Sequence, residues 1–215
     1  MTKRLKIDFV SDVACPWCVI GLGGLEQALG RLQGVVEADI RFQPFELDPT
    51  VPPEGLNKVE QLARKYGRTR EQVLATFDAI RQRAADVGFT MVQTEQSRVY
   101  NTFDAHRLLH WAGLEGRQAE LKHALFEAYF TEGKNTSDPE VLAEAAEAAG
   151  LDRATALQVI ASGRYAEEVR GAEAVWRQAG IDSVPAVVVE ERYLISGGQP
   201  AEAFEQALRA IAEKV

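Results

Sequence analysis

Apolar residues near the two ends of the chain alternate with polar ones at the spacing of β-strands. The predicted strands are Leu5–Val10, Ala38–Phe45, Ala186–Val189 and Tyr193–Ser196. In the first of them, Leu5, Ile7 and Phe9 share one face, as in a half-buried strand. A helical pattern from Val19 to Leu32 separates the first two strands. This βαβ unit favours parallel strands joined by a right-handed crossover.

The middle of the chain has helical spacing instead. After a linker with Pro49, Pro52, Pro53 and Gly55, one predicted helix begins at the capping box Thr69–Gln72 and ends at Gly88. The other predicted helices are Asn101–Trp111, Ala119–Phe130, Asp138–Gly150, Asp152–Ile160, Arg164–Ala179 and Pro200–Glu213. Only Phe89–Val92 predicts a brief strand within this region.

The order of elements is βαβ, then many helices, then αββα. It predicts an α/β fold in which the first and last parts of the chain form a four-stranded sheet flanked by helices. We therefore expect one domain from residues 1–50 and 163–215. Residues 51–162 are expected to form an all-helical insertion that folds as a cap or side domain.

Charge and composition exclude several functions. The 215 residues carry 24 Lys and Arg against 32 Asp and Glu, a net charge of −8, which disfavours nucleic acid as a partner. No segment approaches the roughly 20 apolar residues of a membrane span. Asp8 and Asp12 interrupt the N-terminal apolar segment, so it does not have the pattern of a signal peptide. We therefore predict a cytoplasmic protein, in which structural disulfides are rare.

The only two cysteines, Cys15 and Cys18, lie between a predicted strand and a predicted helix. Backbone N–H groups and the helix dipole stabilise a thiolate at Cys15, and Pro16 suits the first helical turn. A zinc site would need two more ligands, and His106 and His110, which have the H-x-x-x-H spacing, lie on a distant predicted helix. The strand, C-x-x-C, helix context favours a redox-active pair, and we expect no metal.

Several stretches together resemble a known family. They are Asp8–Cys18, Asn101–Leu108, Ser183–Pro185 and Ile195–Pro200. The chain resembles the DsbA-like branch of the thioredoxin superfamily, and most of all its FrnE-type members, the polyketide-type dithiol–disulfide isomerases. The resemblance covers nearly the whole chain. It implies a thioredoxin fold, with a four-stranded mixed sheet and a large helical insertion.

The resemblance also implies roles for individual residues. Cys15 resembles the attacking thiol and Cys18 the resolving thiol. Pro185 resembles the cis-proline that faces the disulfide, and Val184 would offer backbone groups to an extended substrate. Trp17, between the cysteines, is expected to face solvent as a platform for substrate. The expected substrate-binding residues are thus Pro16, Trp17, Val184 and Pro185.

Four polar residues admit two interpretations each. Asn101 and His106 would line the cleft over Cys15 if they were functional. We favour the alternative, in which Asn101 caps a helix and His106 is a hydrogen-bonded packing residue. Asp8 and Asp12 flank the motif, and we expect them at the surface rather than in a buried proton relay.

The leading hypothesis is a protein dithiol–disulfide oxidoreductase or isomerase that needs no cofactor, with glutathione as a candidate redox partner. Its substrates would be proteins or small molecules that contain thiols or disulfides. The alternative is a glutathione-dependent isomerase or transferase similar to 2-hydroxychromene-2-carboxylate isomerase and the kappa-class transferases. Those relatives generally carry serine at the position of Cys15, and a Ser-Asp pair where this chain has Gly197-Gly198-Gln199. A third hypothesis is a non-catalytic module that binds a partner through the helical cap.

Overall fold

The computed structural model describes residues 2–52 and 54–215, so Met1 and the linker residue Pro53 lie outside it. Its strands are β1 (Lys3–Ser11), β2 (Val36–Pro44), β3 (Leu56–Asn57), β4 (Arg98–Val99), β5 (Ala186–Val189) and β6 (Tyr193–Ser196). The main sheet has the order β2-β1-β5-β6. β1 and β2 are parallel, while β5 is antiparallel to both β1 and β6. The predicted four-stranded mixed sheet and its parallel first pair are confirmed.

The helices account for most of the remaining chain. They are α1 (Pro16–Arg31), α2 (Lys58–Tyr66), α3 (Arg70–Asp86), α4 (Phe103–Leu114), α5 (Gln118–Phe126), α6 (Pro139–Ala148), α7 (Arg153–Ser162), α8 (Ala166–Gln178) and α9 (Ala201–Ala212). A π-helical turn, Glu127–Thr131, continues α5. The capping box is present: the Thr69 side chain accepts from the Gln72 N–H, and the Gln72 side chain accepts from the Thr69 N–H.

The first helix begins at the cysteine motif because of its local sequence. Cys15 is its N-cap with extended backbone angles, and Pro16 occupies the first turn, where its missing N–H costs nothing. Two glycines then allow close packing. A Cβ on Gly21 would lie 2.9 Å from the Pro185 ring, and one on Gly24 would lie 2.5 Å from the Gln199 carbonyl oxygen. These glycines bring α1 against the segments around Pro185 and Gln199.

One hydrophobic core joins the sheet to the helical middle of the chain. Leu5, Ile7 and Phe9 are all buried on one face of β1, as the alternation predicts. The same cluster includes Phe204 of α9 and Phe126 of α5. Burial of such side chains contributes about 1.5–3 kcal/mol each. The packing of α5 on this core places the helical segment beside the cysteine motif, while its folding as a separate insertion domain stays a prediction.

A side chain from α5 also covers the edge strand β2. The Gln118 Oε1 accepts from the Phe42 N–H at 2.9 Å, and the Gln118 Nε2 donates to the Phe42 carbonyl at 3.0 Å. The amide thus pairs with β2 much as a neighbouring strand would, which satisfies an exposed edge. It also fixes the position of α5 relative to the sheet.

The predicted strand Phe89–Val92 is wrong. Its backbone is irregular and bonds to helix ends: the Phe89 N–H donates to the Ala84 carbonyl, and the Val92 N–H to the Phe130 carbonyl. The extra strands are instead the short β3 and β4, which pair with each other inside the expected all-helical segment. β3 and β4 are far apart in the sequence. Alternation within one four-residue segment gives no sign of such a pairing.

Three predicted helix starts are wrong by two residues or more. The first helix begins at Pro16 rather than at the predicted Val19, because Cys15 is its N-cap. Asn101 precedes α4, because its side-chain Oδ1 accepts from the Phe103 N–H at 2.9 Å and turns the chain there. Tyr165 precedes α8, with a φ of 64° in the left-handed region. Each helix begins only where the backbone returns to helical angles.

Candidate functional site

The two cysteines lie at the N-terminus of α1 as free, buried thiols. One helical turn separates them, and the Cys18 N–H donates to the Cys15 carbonyl at 3.1 Å. The Cys15 Sγ donates to the carbonyl oxygen of Val184 at 3.6 Å. The Val184–Pro185 peptide bond is cis, as the sequence resemblance implies. The motif and the segment before β5 therefore meet at Cys15.

The two thiols have different surroundings. Burial raises the pKa of Cys18 well above its usual value, and the neighbouring Cys15 adds to this, while the charge of Lys122 opposes it. Cys18 is therefore a protonated thiol at neutral pH. Cys15 is the N-cap of α1, and its Sγ reaches the Val184 carbonyl oxygen.

Alkylation should distinguish the thiols. With limiting iodoacetamide at pH 7, we expect the reduced protein to be modified at Cys15 while Cys18 stays unmodified, because Cys15 lines a cavity whereas Cys18 is fully buried and its pKa is raised. Peptide mass spectrometry after digestion gives the ratio directly. Equal modification of both cysteines in the folded protein would contradict the assignment. The control is alkylation of the protein in denaturant, where both cysteines should react.

Trp17 is 41% exposed, as expected of a residue that faces solvent. The turn after β6 packs against its backbone: a Cβ on Gly198 would lie 2.8 Å from the Trp17 carbonyl oxygen. Glycine is therefore required at this position for close approach. The turn and α1 together hold Trp17 beside Cys15.

A cavity of about 850 Å³ opens at Cys15, and we call it the Cys15 cavity. One wall contains Cys15, Pro16, Trp17 and Val184. The facing wall comes from the helical segment and includes Lys58, Leu62, Tyr66, Phe77, Ile80 and Tyr100. Its size and its mostly apolar lining suit a small molecule or a short stretch of extended chain.

Charged side chains from α8 and from the segment after β2 form a third part of the lining. Arg170 bonds to buried Glu46, and donates to the Glu173 carboxylate at 2.7 Å. The Glu173 carboxylate also accepts from the Glu46 N–H at 3.1 Å. Burial raises the pKa of Glu46, with Arg170 opposing and Glu173 adding to the rise. The guanidinium of Arg170 stacks on Phe103, 3.7 Å from its ring centre, which holds this cation at the cavity.

The expected surface position of Asp12 is wrong, because its side chain is 2% exposed. Its carboxylate accepts from the Leu47 N–H at 2.8 Å and the Ala14 N–H at 3.3 Å. The His106 Nε2 lies 3.5 Å from the Asp12 Oδ1. Burial alone would raise the pKa of Asp12, but His106 and the Leu47 N–H outweigh it and lower the pKa below its usual value. Asp12 thus ties the motif to the segment after β2.

Replacing Asp12 by asparagine should destabilise the protein by roughly 1–3 kcal/mol at pH 7, because a buried charged hydrogen bond is lost. The folded pKa is depressed, so the wild-type carboxylate contributes fully above about pH 4 and loses its contribution as the pH falls through the folded value. The variant should therefore lose less stability on acidification. Urea unfolding at neutral and acidic pH measures both effects, and parallel acid losses in the two proteins would refute this role.

The structure also places the other polar residues named from the sequence. His106 is buried behind Asp12, and its Nε2 makes no hydrogen bond within the described residues. Asn101 lies at the start of α4, with its amide nitrogen 3.4 Å from the Pro49 carbonyl. Neither residue is among those that line the Cys15 cavity. Asp8 accepts from the Gln43 side chain at 2.6 Å.

Sequence reasoning missed two buried lysines near the thiols. Lys58 lines the Cys15 cavity and lies over the ring of Tyr129, and Lys122 lies over the ring of Phe126. Burial lowers the pKa of each to about 8. A signal existed for Lys122, which follows Leu121 and precedes Phe126 by one helical turn on the apolar face of α5.

Two further findings concern the described residues as a whole. Among them, no three His, Cys, Asp or Glu side chains are grouped to hold a metal ion, and His110 stacks on Tyr165 at 5.1 Å. In the same part of the chain, no helix combines the length and apolar character needed to cross a membrane.

The chain is similar to several known proteins. Residues 6–209 match the DSBA-like thioredoxin domain. A probable DsbA oxidoreductase from Streptomyces coelicolor is 36% identical, with a TM-score of 0.89 over 98% of this chain and 90% of that one. An uncharacterized protein of Bacillus subtilis, YwbO, is 26% identical over 97% of this chain and 96% of its own.

A solved 2-hydroxychromene-2-carboxylate isomerase also has this fold, with a TM-score of 0.69 and 17% identity over 97% of each chain. At that identity the likeness concerns the fold alone, so the fold does not separate an oxidoreductase from an isomerase. The match to the domain, which covers nearly all residues, and the similar Streptomyces protein decide the family. This chain belongs to the DsbA-like thioredoxin family.

Proposed function

We propose that this protein is a dithiol–disulfide oxidoreductase that acts through Cys15 and Cys18. The observation that carries the proposal is the pair of free thiols one turn apart at the N-terminus of α1, with Cys15 at a cavity and Cys18 fully buried. Family membership supports the class of reaction. The assignment to the FrnE-type branch and the cytoplasmic location stay predictions.

The proposed reaction depends on the different positions of the two thiols, since Cys15 lines the cavity and Cys18 is fully buried. The Cys15 thiolate attacks one sulfur of a substrate disulfide, which forms a mixed disulfide and releases the first substrate thiolate. Cys18 then loses its proton and attacks the Cys15 Sγ. The Cys15–substrate bond breaks, the second substrate thiolate leaves, and the enzyme holds a Cys15–Cys18 disulfide. The reverse sequence oxidises a substrate dithiol.

Substrate binding is assigned to the residues around the attacking sulfur. Val184 places its carbonyl oxygen at Cys15, and Pro185 packs against α1. Backbone groups at this position suit an extended chain that pairs as an added strand. The exposed ring of Trp17 offers apolar contact beside Pro16. These features support substrates that present a disulfide or thiol on an extended segment or a small molecule.

Reduction of insulin by dithiothreitol tests the proposal. The protein should accelerate the precipitation of insulin B chain, and prior treatment of the reduced protein with iodoacetamide should remove the acceleration. Treating the oxidised protein with iodoacetamide is the matched control, since its sulfurs are then paired and it should keep its activity. No acceleration by the untreated protein would refute the proposal.

Glutathione-dependent isomerisation is the second candidate, and two observations favour it. The fold is shared with an isomerase, and the Cys15 cavity contains Arg177, which makes no ion pair among the described residues and suits a carboxylate of a tripeptide thiol. In that case isomerase activity would require glutathione, and the protein would be retained on immobilised glutathione. Retention alone would fit glutathione as a redox partner, so turnover in the absence of Cys18 is decisive.

A further inference from the structure

Lys122 is a buried cation that the reaction described above leaves without a role. Its side chain is fully buried, and its Nζ makes no hydrogen bond to any described residue. The Nζ lies 4.8 Å from the ring centre of Phe126 and 6.0 Å from that of Phe42. Both rings belong to the same core cluster as Cys18. An ammonium group without a partner is costly in such a place, which indicates a partner that forms only during the reaction.

The groups around Lys122 identify that partner. Burial lowers the pKa of Lys122 to about 8, and Cys18, Asp12 and Cys15, in that order, act against the decrease. The charge of Lys122 also lowers the pKa of His123, the next residue on α5. His123, however, pairs with Glu26 at 2.7 Å, and this pairing raises its pKa. Cys18, which shares the core cluster of Phe42 and Phe126 beside the Lys122 side chain, is thus the partner that the surroundings favour. The interaction is reciprocal, since Lys122 lowers the pKa of Cys18 against the effect of burial.

The resolving step creates the need for such a neighbour. Cys18 must become a thiolate in a fully buried position, where both burial and the neighbouring Cys15 disfavour a negative charge. A cation in the same core offsets both effects. Lys122 reaches this position from α5, which the side chain of Gln118 fixes against β2.

Resting on the exchange reaction proposed above, we propose that Lys122 is the counter-ion of the Cys18 thiolate when the mixed disulfide is resolved. In this step the Cys18 proton passes to water, and the thiolate attacks the Cys15 Sγ. The Cys15–Cys18 bond forms as the Cys15–substrate bond breaks, and the substrate leaves as a thiolate. Lys122 acts through its charge, so it is a positioning residue.

A second cavity lies beside Lys122. It measures about 720 Å³, lies between β2, α4, α5 and α8, and is lined by Lys122 and His106 among others. It shares no lining residue with the Cys15 cavity. The second cavity is therefore separate from the cavity proposed to hold substrate.

Lys58 provides a matched control, because it is a second buried lysine with a similarly lowered pKa. Its Nζ lies 3.5 Å from the Tyr129 hydroxyl, and its strongest charged neighbour is Cys15 rather than Cys18. Loss of the charge at Lys58 should therefore affect the attacking thiol and leave resolution unchanged.

Ellman's reagent separates the two steps in one experiment. Attack by Cys15 releases the first equivalent of thionitrobenzoate, and attack by Cys18 on the mixed disulfide releases the second. In Lys122→Met, stopped-flow absorbance at pH 7 should show the second phase slowed about tenfold or more, with the first within about twofold of wild type. The second phase should also need a higher pH to reach its full rate. Lys122→Arg should restore it, and Lys58→Met should not slow it.

The outcomes separate this inference from the function on which it rests. A wild-type protein that releases only one equivalent would refute the exchange reaction itself. Two phases that are unchanged in Lys122→Met would refute the role of Lys122 alone. Lys122→Met should unfold at a temperature equal to or above that of wild type, since it removes an unpaired buried charge. Lys122→Gln repeats the kinetic test with a polar side chain if methionine disturbs α5.

Discussion

Replacing Cys15 by alanine should abolish thiol–disulfide exchange, lowering the rate of insulin reduction by about a thousandfold or more. Cys15 is the thiol at the helix N-terminus and the cavity, beside the Val184 carbonyl. The remaining thiol cannot replace it, because Cys18 is fully buried and its pKa is raised well above the usual value. Insulin turbidity and the release of thionitrobenzoate both measure the loss.

The fold should survive this substitution, which changes one small side chain. Thermal unfolding and the far-ultraviolet circular dichroism spectrum of Cys15→Ala should match those of wild type closely. Cys15→Ser is the appropriate second variant, since it keeps the size and polarity but not the thiolate. Exchange within severalfold of wild type in either variant would show that another group performs the attack.

Replacing Cys18 by alanine should have an equally large effect of a different kind. Cys15 would still attack, but no second thiol would lie one turn along α1 to release the substrate. The Cys18→Ala protein should therefore accumulate mixed disulfides with substrates that carry a disulfide, visible on non-reducing gels and cleared by dithiothreitol. Steady-state turnover should fall to the slow rate at which free thiols in solution resolve the complex.

The double variant without either cysteine is the control, and it should trap nothing. A glutathione-dependent isomerase predicts another pattern, in which Cys18→Ala keeps full turnover with glutathione and forms no complexes. That result would favour the second candidate over exchange. Trapping by Cys15→Ala instead of Cys18→Ala would reverse the roles of the two thiols.

The elements of the sheet and the position of the cysteine motif could be predicted because their signals are local. Alternation along Leu5–Val10 and the proline at the start of α1 depend on neighbours within a few residues. The glycines of α1 weaken its helical pattern, yet in the structure Gly21 permits contact with Pro185. Periodicity gives no sign of such long-range packing, and it misassigned Phe89–Val92 for the same reason.

The walls of the site were harder to predict, because they come from segments far apart in the sequence. Asp12 is buried through contacts with Leu47 and His106, and both residues are far from it along the chain. Lys58 and Lys122 belong to helices whose remaining residues are ordinary mixtures of polar and apolar types. Only the packing of those helices on the sheet core turns two lysines into buried charges beside a dithiol.

Redox titration of the cysteine pair tests the central claim most directly. The protein would be equilibrated with glutathione buffers from fully reduced to fully oxidised, quenched with acid and alkylated, and then mapped by mass spectrometry. We expect one reversible transition that follows the ratio of reduced to oxidised glutathione. In it, two free thiols become an intramolecular Cys15–Cys18 disulfide. Two thiols that persist in the most oxidising buffer, or a stable glutathione adduct on Cys15 with Cys18 still free, would contradict it.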